Sequence, residues 1–137
     1  MKIVKTLCTL VLICTPFVFT AQDKTGSTKD QVINDYIAKN YEFMDGLSEE
    51  GTYYLTRNAA FGEVIHYFVN DLCVSSVIIP NDEETLDKFI AEYNTKYTLV
   101  SENIWSIKVK SGSNSASRVS VIWEENGGFF ILFYKEE

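Results

Sequence analysis

Apolar residues recur along this chain with two different periods, and the changes of period mark its elements. Leu86, Phe89, Ile90 and Tyr93 repeat at i, i+3, i+4 and i+7, which makes one apolar stripe on a helix. Asn81 stands where an N-cap is needed, and Glu84 is three residues on to complete a capping box. Asp82, Glu83 and Glu84 add negative charge at the positive end of that helix. An earlier helix is predicted over 29–40. Thr28 and Gln31 form a second capping-box pair there, and Val32, Ile33, Tyr36, Ile37 and Tyr41 fall on one face.

Between and after the helices the period drops to two. Thr52 to Thr56 is a short extended segment, followed by a loop over 58–62. Over 63–69, Ile65, Tyr67 and Val69 alternate with Val64, His66 and Phe68. Asn70-Asp71 turns the chain, and 72–79 returns with Cys73, Ser75, Val77 and Ile79 opposite Val74, Ser76 and Ile78. That strand is apolar on both sides, as a central strand is, and Pro80 ends it. The stretch 42–51 carries turn chemistry, and 97–100 is either a short strand or a lead-in. A strand over 104–110 sends Trp105, Ile107 and Val109 inward, before a loop of small residues over 111–117. Val119, Val121 and Trp123 share one side of the next strand. Asn126-Gly127-Gly128 turns the chain into the last strand, where Phe129, Ile131 and Phe133, or their alternates, are buried.

The predicted fold is therefore a two-layer α+β domain in the order α-β-β-β-α-β-β-β. An antiparallel sheet of about six strands carries its helices packed on one face. The alternative is a strongly curled sheet approaching a half-barrel that grips the central helix.

The N-terminus has a different pattern. Met1 to Lys5 is short and positive, Thr6 to Thr20 is largely apolar without an acidic residue, and Ala21-Gln22-Asp23 turns small and polar. This layout predicts a signal peptide over 1–21, a flexible leader over 22–28 and a single domain over 29–137. Cys8 and Cys14 follow bulky residues, unlike the small residue that precedes a lipid-modified cysteine.

Removal of 1–21 would leave ten basic residues against nineteen acidic ones, a net charge of −9. That charge argues against nucleic acid and against an anionic membrane held through a general positive field. Stable membrane insertion is not expected once the signal is gone. Cys73 remains as a lone cysteine, so no disulfide framework is expected.

Candidate chemistry is sparse. His66 is the single histidine, and no metal site or cofactor is expected around it. A hairpin about Asn70-Asp71 would bring His66 near Cys73, the one place where geometry and nucleophilic chemistry could coincide. A working pair also needs an oxyanion hole and a third group to orient the imidazole. Neither nucleotide-binding glycine patterns nor a nucleophile elbow is present. The carboxylates near strand ends and on the central helix read as solvated charge and dipole compensation.

Seventeen aromatic residues lie beyond residue 21. Tyr53-Tyr54, Tyr67-Phe68 and Phe129-Phe130 put rings on both faces of their strands. With helices on one face only, some rings must line the other. Tyr53, Tyr54, Tyr67, Phe68, Phe130 and Tyr134 are the candidate partner face.

The end of the signal, Thr20-Ala21-Gln22, with the runs Gly62-Glu63-Val64-Ile65-His66-Tyr67-Phe68 and Cys73-Val74-Ser75-Ser76-Val77-Ile78-Ile79-Pro80, resembles small secreted Bacteroidota proteins of unknown function. The resemblance implies the periplasm or the exterior of a Gram-negative cell and transfers no functional residue. The expected role is an exported, non-enzymatic protein that binds a protein or small ligand through its aromatic sheet face, with a homodimer as a further option. A small periplasmic hydrolase using Cys73 and His66, and an immunity or inhibitor protein for a basic partner, are the competing readings.

Overall fold

A computed structural model describes residues 23–136; the predicted signal peptide lies outside the described residues. Helix α1 (Lys29–Ala38) is followed by strands β1 (Met44–Leu47), β2 (Tyr53–Ala59), β3 (Gly62–Val69) and β4 (Leu72–Pro80). Helix α2 (Glu83–Lys96) then leads to β5 (Thr98–Ser101), β6 (Ile104–Ser106), β7 (Arg118–Trp123) and β8 (Phe129–Tyr134). The strands form one antiparallel sheet in the order β1-β2-β3-β4-β8-β7-β6-β5.

The α+β architecture with both helices on one face is as predicted, and the strand count is corrected from about six to eight. The two additional strands, β1 and β5, are the edges of the sheet. An edge strand has a ladder partner on one side only and little to bury, so its sequence carries little alternation. Asp45-Gly46, expected to be a turn, instead pairs with Leu55 and Tyr54.

Local chemistry explains the helix starts. Thr28 caps α1 with both arms of its box, accepting from the Gln31 amide while the Gln31 side chain accepts from the Thr28 amide. The start of α2 falls one residue later than predicted: Asp82, not Asn81, is the cap and accepts from the Thr85 amide at 2.8 Å. With Asp82 as cap, Glu84 is the second helical residue and cannot close a box, which needs the third. Asn81 instead donates through its amide to the Phe61 carbonyl and through Nδ2 to the Ala60 carbonyl. The helix start is thereby pinned to the β2–β3 turn.

Leu86, Phe89 and Tyr93 of α2 are buried against Ile78, Trp105, Val119, Val121, Ile131 and Phe133. Val32 and Tyr36 of α1 are buried against Leu55, Phe68 and Cys73. A bulge beside Tyr67 and Phe68 breaks the alternation of β4. Ser75 stands opposite Tyr67 and Cys73 opposite Phe68, which skips Val74 and moves Cys73 onto the face shared by Ser76 and Ile78. The strand predicted over 104–110 stops at Ser106; Ile107 still packs on the core, while Val109 is exposed.

Residues 23–28, expected as a flexible leader, lie along β4 beyond the end of β8. The Gly26 amide donates to the Cys73 carbonyl and the Cys73 amide to the Ser27 carbonyl. Thr28 continues the pairing opposite Leu72.

Gly62, just after the two-residue Ala60-Phe61 turn, has a φ of +148°, and a Cβ there would run into the Ile79 carbonyl oxygen. The obstacle is backbone held in the ladder, so it cannot swing aside. Gly62→Ala is therefore expected to lose about 1–3 kcal/mol, read as a lower urea midpoint with an unchanged slope.

Candidate functional site

The two-residue turns after β2 and β3 set the register that decides where each ring points. Tyr53 pairs with Phe68 on the helix-covered face, their rings 5.7 Å apart. Phe68 is buried there, and the Lys29 ammonium lies 4.3 Å from the centre of the Tyr53 ring. These two candidates thus belong to the packing under α1. Tyr54, Tyr67, Phe130 and Tyr134 lie together on the opposite face.

That open face is built of three rows across the sheet. Thr56, Ile65, Val77, Leu132, Ser120 and Ile104 make the middle row, from β2 to β6. Tyr54, Tyr67, Ser75, Tyr134, Arg118 and Ser106 make a second. The third holds Asn58, Glu63 and Ile79, with Phe130 and Ile122 across the sheet. The large apolar residues of the middle row are half-buried by their neighbours in the sheet. Both helices pack on the other side, and among the described residues none of the secondary-structure elements covers this face. Ile65, Val77, Leu132, Ile104 and Ile122 were not among the predicted partner residues. The signal for them was the apolar character of both faces of the central strands.

Glu63 and Arg118 are the only charged strand residues on this face among those described. Thr56 donates to Glu63 at 2.9 Å. Arg118 pairs with Glu136 at 2.6 Å and donates to Ser106 at 3.1 Å. The Tyr54 ring reaches over Gly46 of the edge strand, where a Cβ would stand 3.0 Å from its hydroxyl.

His66 and Cys73 lie on the covered face, but Ser76 stands between them. His66 Nδ1 is 2.8 Å from Ser76 Oγ, which is 3.8 Å from Cys73 Sγ. His66 Nε2 is hydrogen bonded to the Tyr36 hydroxyl. The Arg57 guanidinium lies 5.5 Å from the centre of the Tyr36 ring, and the Lys24 amide, next to Asp23, donates to Ser76 Oγ at 3.0 Å. One direction of donation satisfies the buried centre of this set: Tyr36 to His66 Nε2 and His66 Nδ1–H to Ser76. A cation stands at one end of this relay and a carboxyl group at the other.

His66 and Ser76 have no solvent exposure. Burial, helped by the charges of Lys24 and Arg57, pushes the imidazole pKa down to about 3. Burial pushes the Cys73 thiol up to about 11 and the Tyr36 hydroxyl up to about 12. Burial also raises the Asp23 carboxyl, against the opposing pull of its bonds from Thr25 and Ser76. At neutral pH the arrangement is a neutral imidazole and a protonated thiol. Its evident effect is to tie the leader, β4, β3, α1 and β2 together.

A cleft of about 760 Å³ opens where β1 stops short of the end of β2. Tyr41, Phe43, Met44, Arg57 and Glu63 are among its walls, and the Arg57 guanidinium lies 3.9 Å from the centre of the Tyr41 ring. Among the described residues no three His, Cys, Asp or Glu side chains cluster as a metal site, and no helix is long and apolar enough to cross a membrane. Comparison with protein-family models gives no match, and neither does comparison with curated proteins.

The neutral histidine sets a pH dependence. Its folded pKa is depressed from 6.5 to about 3, so below pH 6.5 the unfolded chain takes up a proton that the folded chain refuses. Stability should fall by about 1.4 kcal/mol per pH unit from this group across that window. Asp23, raised in the fold, offsets part of the loss in acid. Urea midpoints measured from pH 7 to pH 4 should fall less steeply in His66→Gln than in the parent. Parallel profiles would show that His66 is not held neutral. Cys73 should resist thiol reagents at pH 8 until denaturant is added.

Proposed function

We propose that this chain is an exported interaction protein without a catalytic role, working through the open face of its sheet in the periplasm or outside a Gram-negative cell. One observation carries the reading. In a strongly acidic chain, a face six strands wide holds Tyr54, Tyr67, Tyr134, Phe130 and a middle row with Ile, Val and Leu, and Glu63 and Arg118 are its only charged strand residues among those described. Depletion of charge with enrichment of aromatic residues is the composition of an interface centre. Tyrosines offer large apolar area with a polar tip, which suits a surface that meets water and a partner in turn.

The export half of the proposal rests on the positive, apolar and then small-polar order of residues 1–23. Weighing against a Cys73/His66 hydrolase is the burial of both groups. Burial raises the Cys73 thiol to about 11 and lowers the His66 imidazole to about 3, so the imidazole is too weak a base to take the thiol proton at neutral pH. The excess acid stands mainly on the helices and the turns, so most of it is available to a basic molecule away from the open face.

Photo-crosslinking in exporting cells separates these surfaces. A photoreactive residue at Tyr67 or Leu132 should give protein adducts, whereas one at the exposed Asp87 or Lys88 of α2 should not. Equal yields at the two surfaces, or none at either, would remove the open face from consideration. The N-terminal mass of the exported product is expected to begin at Gln22.

A further inference from the structure

Among the described strand residues, the two charged ones on the open face are opposite in sign and symmetrically placed, and Arg118 also holds Glu136 at 2.6 Å. The centre of the face lies between β4 and β8, beside Val77 and Leu132. Glu63 is on β3, one strand outward from β4, in the row on one side of the middle row. Arg118 is on β7, one strand outward from β8, in the row on the other side. Each is therefore displaced from the centre by the same amount in opposite directions. They stand three strand spacings apart across the sheet, about 14 Å, and four residues apart along it, about 13 Å.

We infer that the occupant of the open face is a second copy of this chain, related by a two-fold axis, with Glu63 of each copy beside Arg118 of the other, whose guanidinium Glu136 shares from within its own chain. This deepens the open-face reading and rests on it. A two-fold axis lying in the plane of contact carries each point of one face onto its mirror position across that axis. Two points that are opposite about the centre exchange when the axis runs perpendicular to the line joining them. Both charge pairs then form together, as an isologous interface requires. Because the offsets across and along the strands are nearly equal, the axis runs at about 45° to the strands. The strands of the two sheets then cross at about 90°, one of the two preferred ways for sheets to pack.

Size and charge agree with this pairing. Six strands by three rows give a flat footprint of about 600 Å². The relief of the side chains brings the buried surface toward the roughly 800 Å² per partner of a standard interface. Ile65, Val77 and Leu132 supply an apolar centre, and the two ion pairs sit at its rim, where charge sets register more than affinity. The acidic helices face outward on opposite sides of the pair, so the net charge of the two copies is kept apart.

Sedimentation equilibrium on the exported, processed chain tests this across a wide dilution series. The parent is expected at twice its chain mass. Glu63→Lys and Arg118→Glu should each weaken the dimer by about tenfold or more, because each reversal acts twice. The doubly reversed chain, Glu63→Lys with Arg118→Glu, should recover much of the loss. Both sites are at the surface, and near-ultraviolet circular dichroism checks that each variant remains folded. A monomeric parent, a dimer indifferent to either reversal, or a double variant no better than the singles would overturn the inference. A monomer that still crosslinks to a different protein from Tyr67 overturns the second copy while leaving the open-face reading in place. A monomer that gives no crosslinks overturns both.

Discussion

The seat of Tyr93 is the constraint on which the rest of the structure depends. Its ring has no solvent exposure and meets Phe89, Tyr97, Trp105 and Phe133, with centres 5.5 to 6.1 Å apart. One residue of α2 thus binds the helix to β6 and β8 at once. Such ring pairs contribute about 0.5–1.5 kcal/mol each beyond the area they bury. Trp105 is fixed in turn by its indole N–H, which donates to Asn94 of the same helix at 2.9 Å. The length of α2 follows from the topology. The chain leaves β4 in the middle of the sheet and must re-enter at β5 on the far edge, four strand spacings or about 19 Å away. Fourteen residues of helix span about 21 Å.

Once α2 crosses that half of the sheet, α1 takes the remaining covered area over β2 to β4, on the same side. The two helices are then both committed to one face. They bury different things: α2 covers an almost purely apolar field, whereas α1 lies over the relay of Arg57, Tyr36, His66, Ser76 and Asp23. A buried polar network is costly if any member is unmatched, and it rigidifies when every member is satisfied. Here it joins five segments distant in sequence, including the leader, which backbone pairing with β4 and the Lys24–Asp35 ion pair also hold.

Local signals were legible in the sequence and non-local ones were not. The stripe of α2 and the capping box at Thr28 could be read because they depend on residues three or four apart. Asp82 displaced Asn81 as the cap because the β2–β3 turn claims the Asn81 side chain, a contact 21 residues distant in the chain. The bulge that re-aims Cys73 depends on how β3 and β4 align, and nothing in either strand alone marks it. The alternation within each strand was readable, but the register that puts Tyr54 and Tyr67 on one face was not. Which parity lies inside was not readable either, because β2, β3 and β4 carry apolar residues on both sides. Tyr53 and Phe68 were therefore grouped with rings that point the other way. The insertion of β8 between β4 and β7 had no sequence signature at all.

The two faces of the sheet are not divided simply into apolar inside and charged outside. Charged and polar side chains, Arg57, His66, Ser76 and the leader's Asp23, are placed under a helix, while Ile65, Val77, Leu132 and three tyrosines are turned outward. An exposed large side chain taken singly means little, because much of any protein surface is apolar. A contiguous field of half-buried Ile, Val, Leu and Tyr on one uncovered face is different, because soluble monomers rarely present a large apolar patch without a use for it. The helices cannot be redistributed to cover it, since the span of α2 and the relay under α1 hold both on the other side. On the reading proposed above, the field is matched from outside the fold, by a second copy that brings its own Glu63 and Arg118.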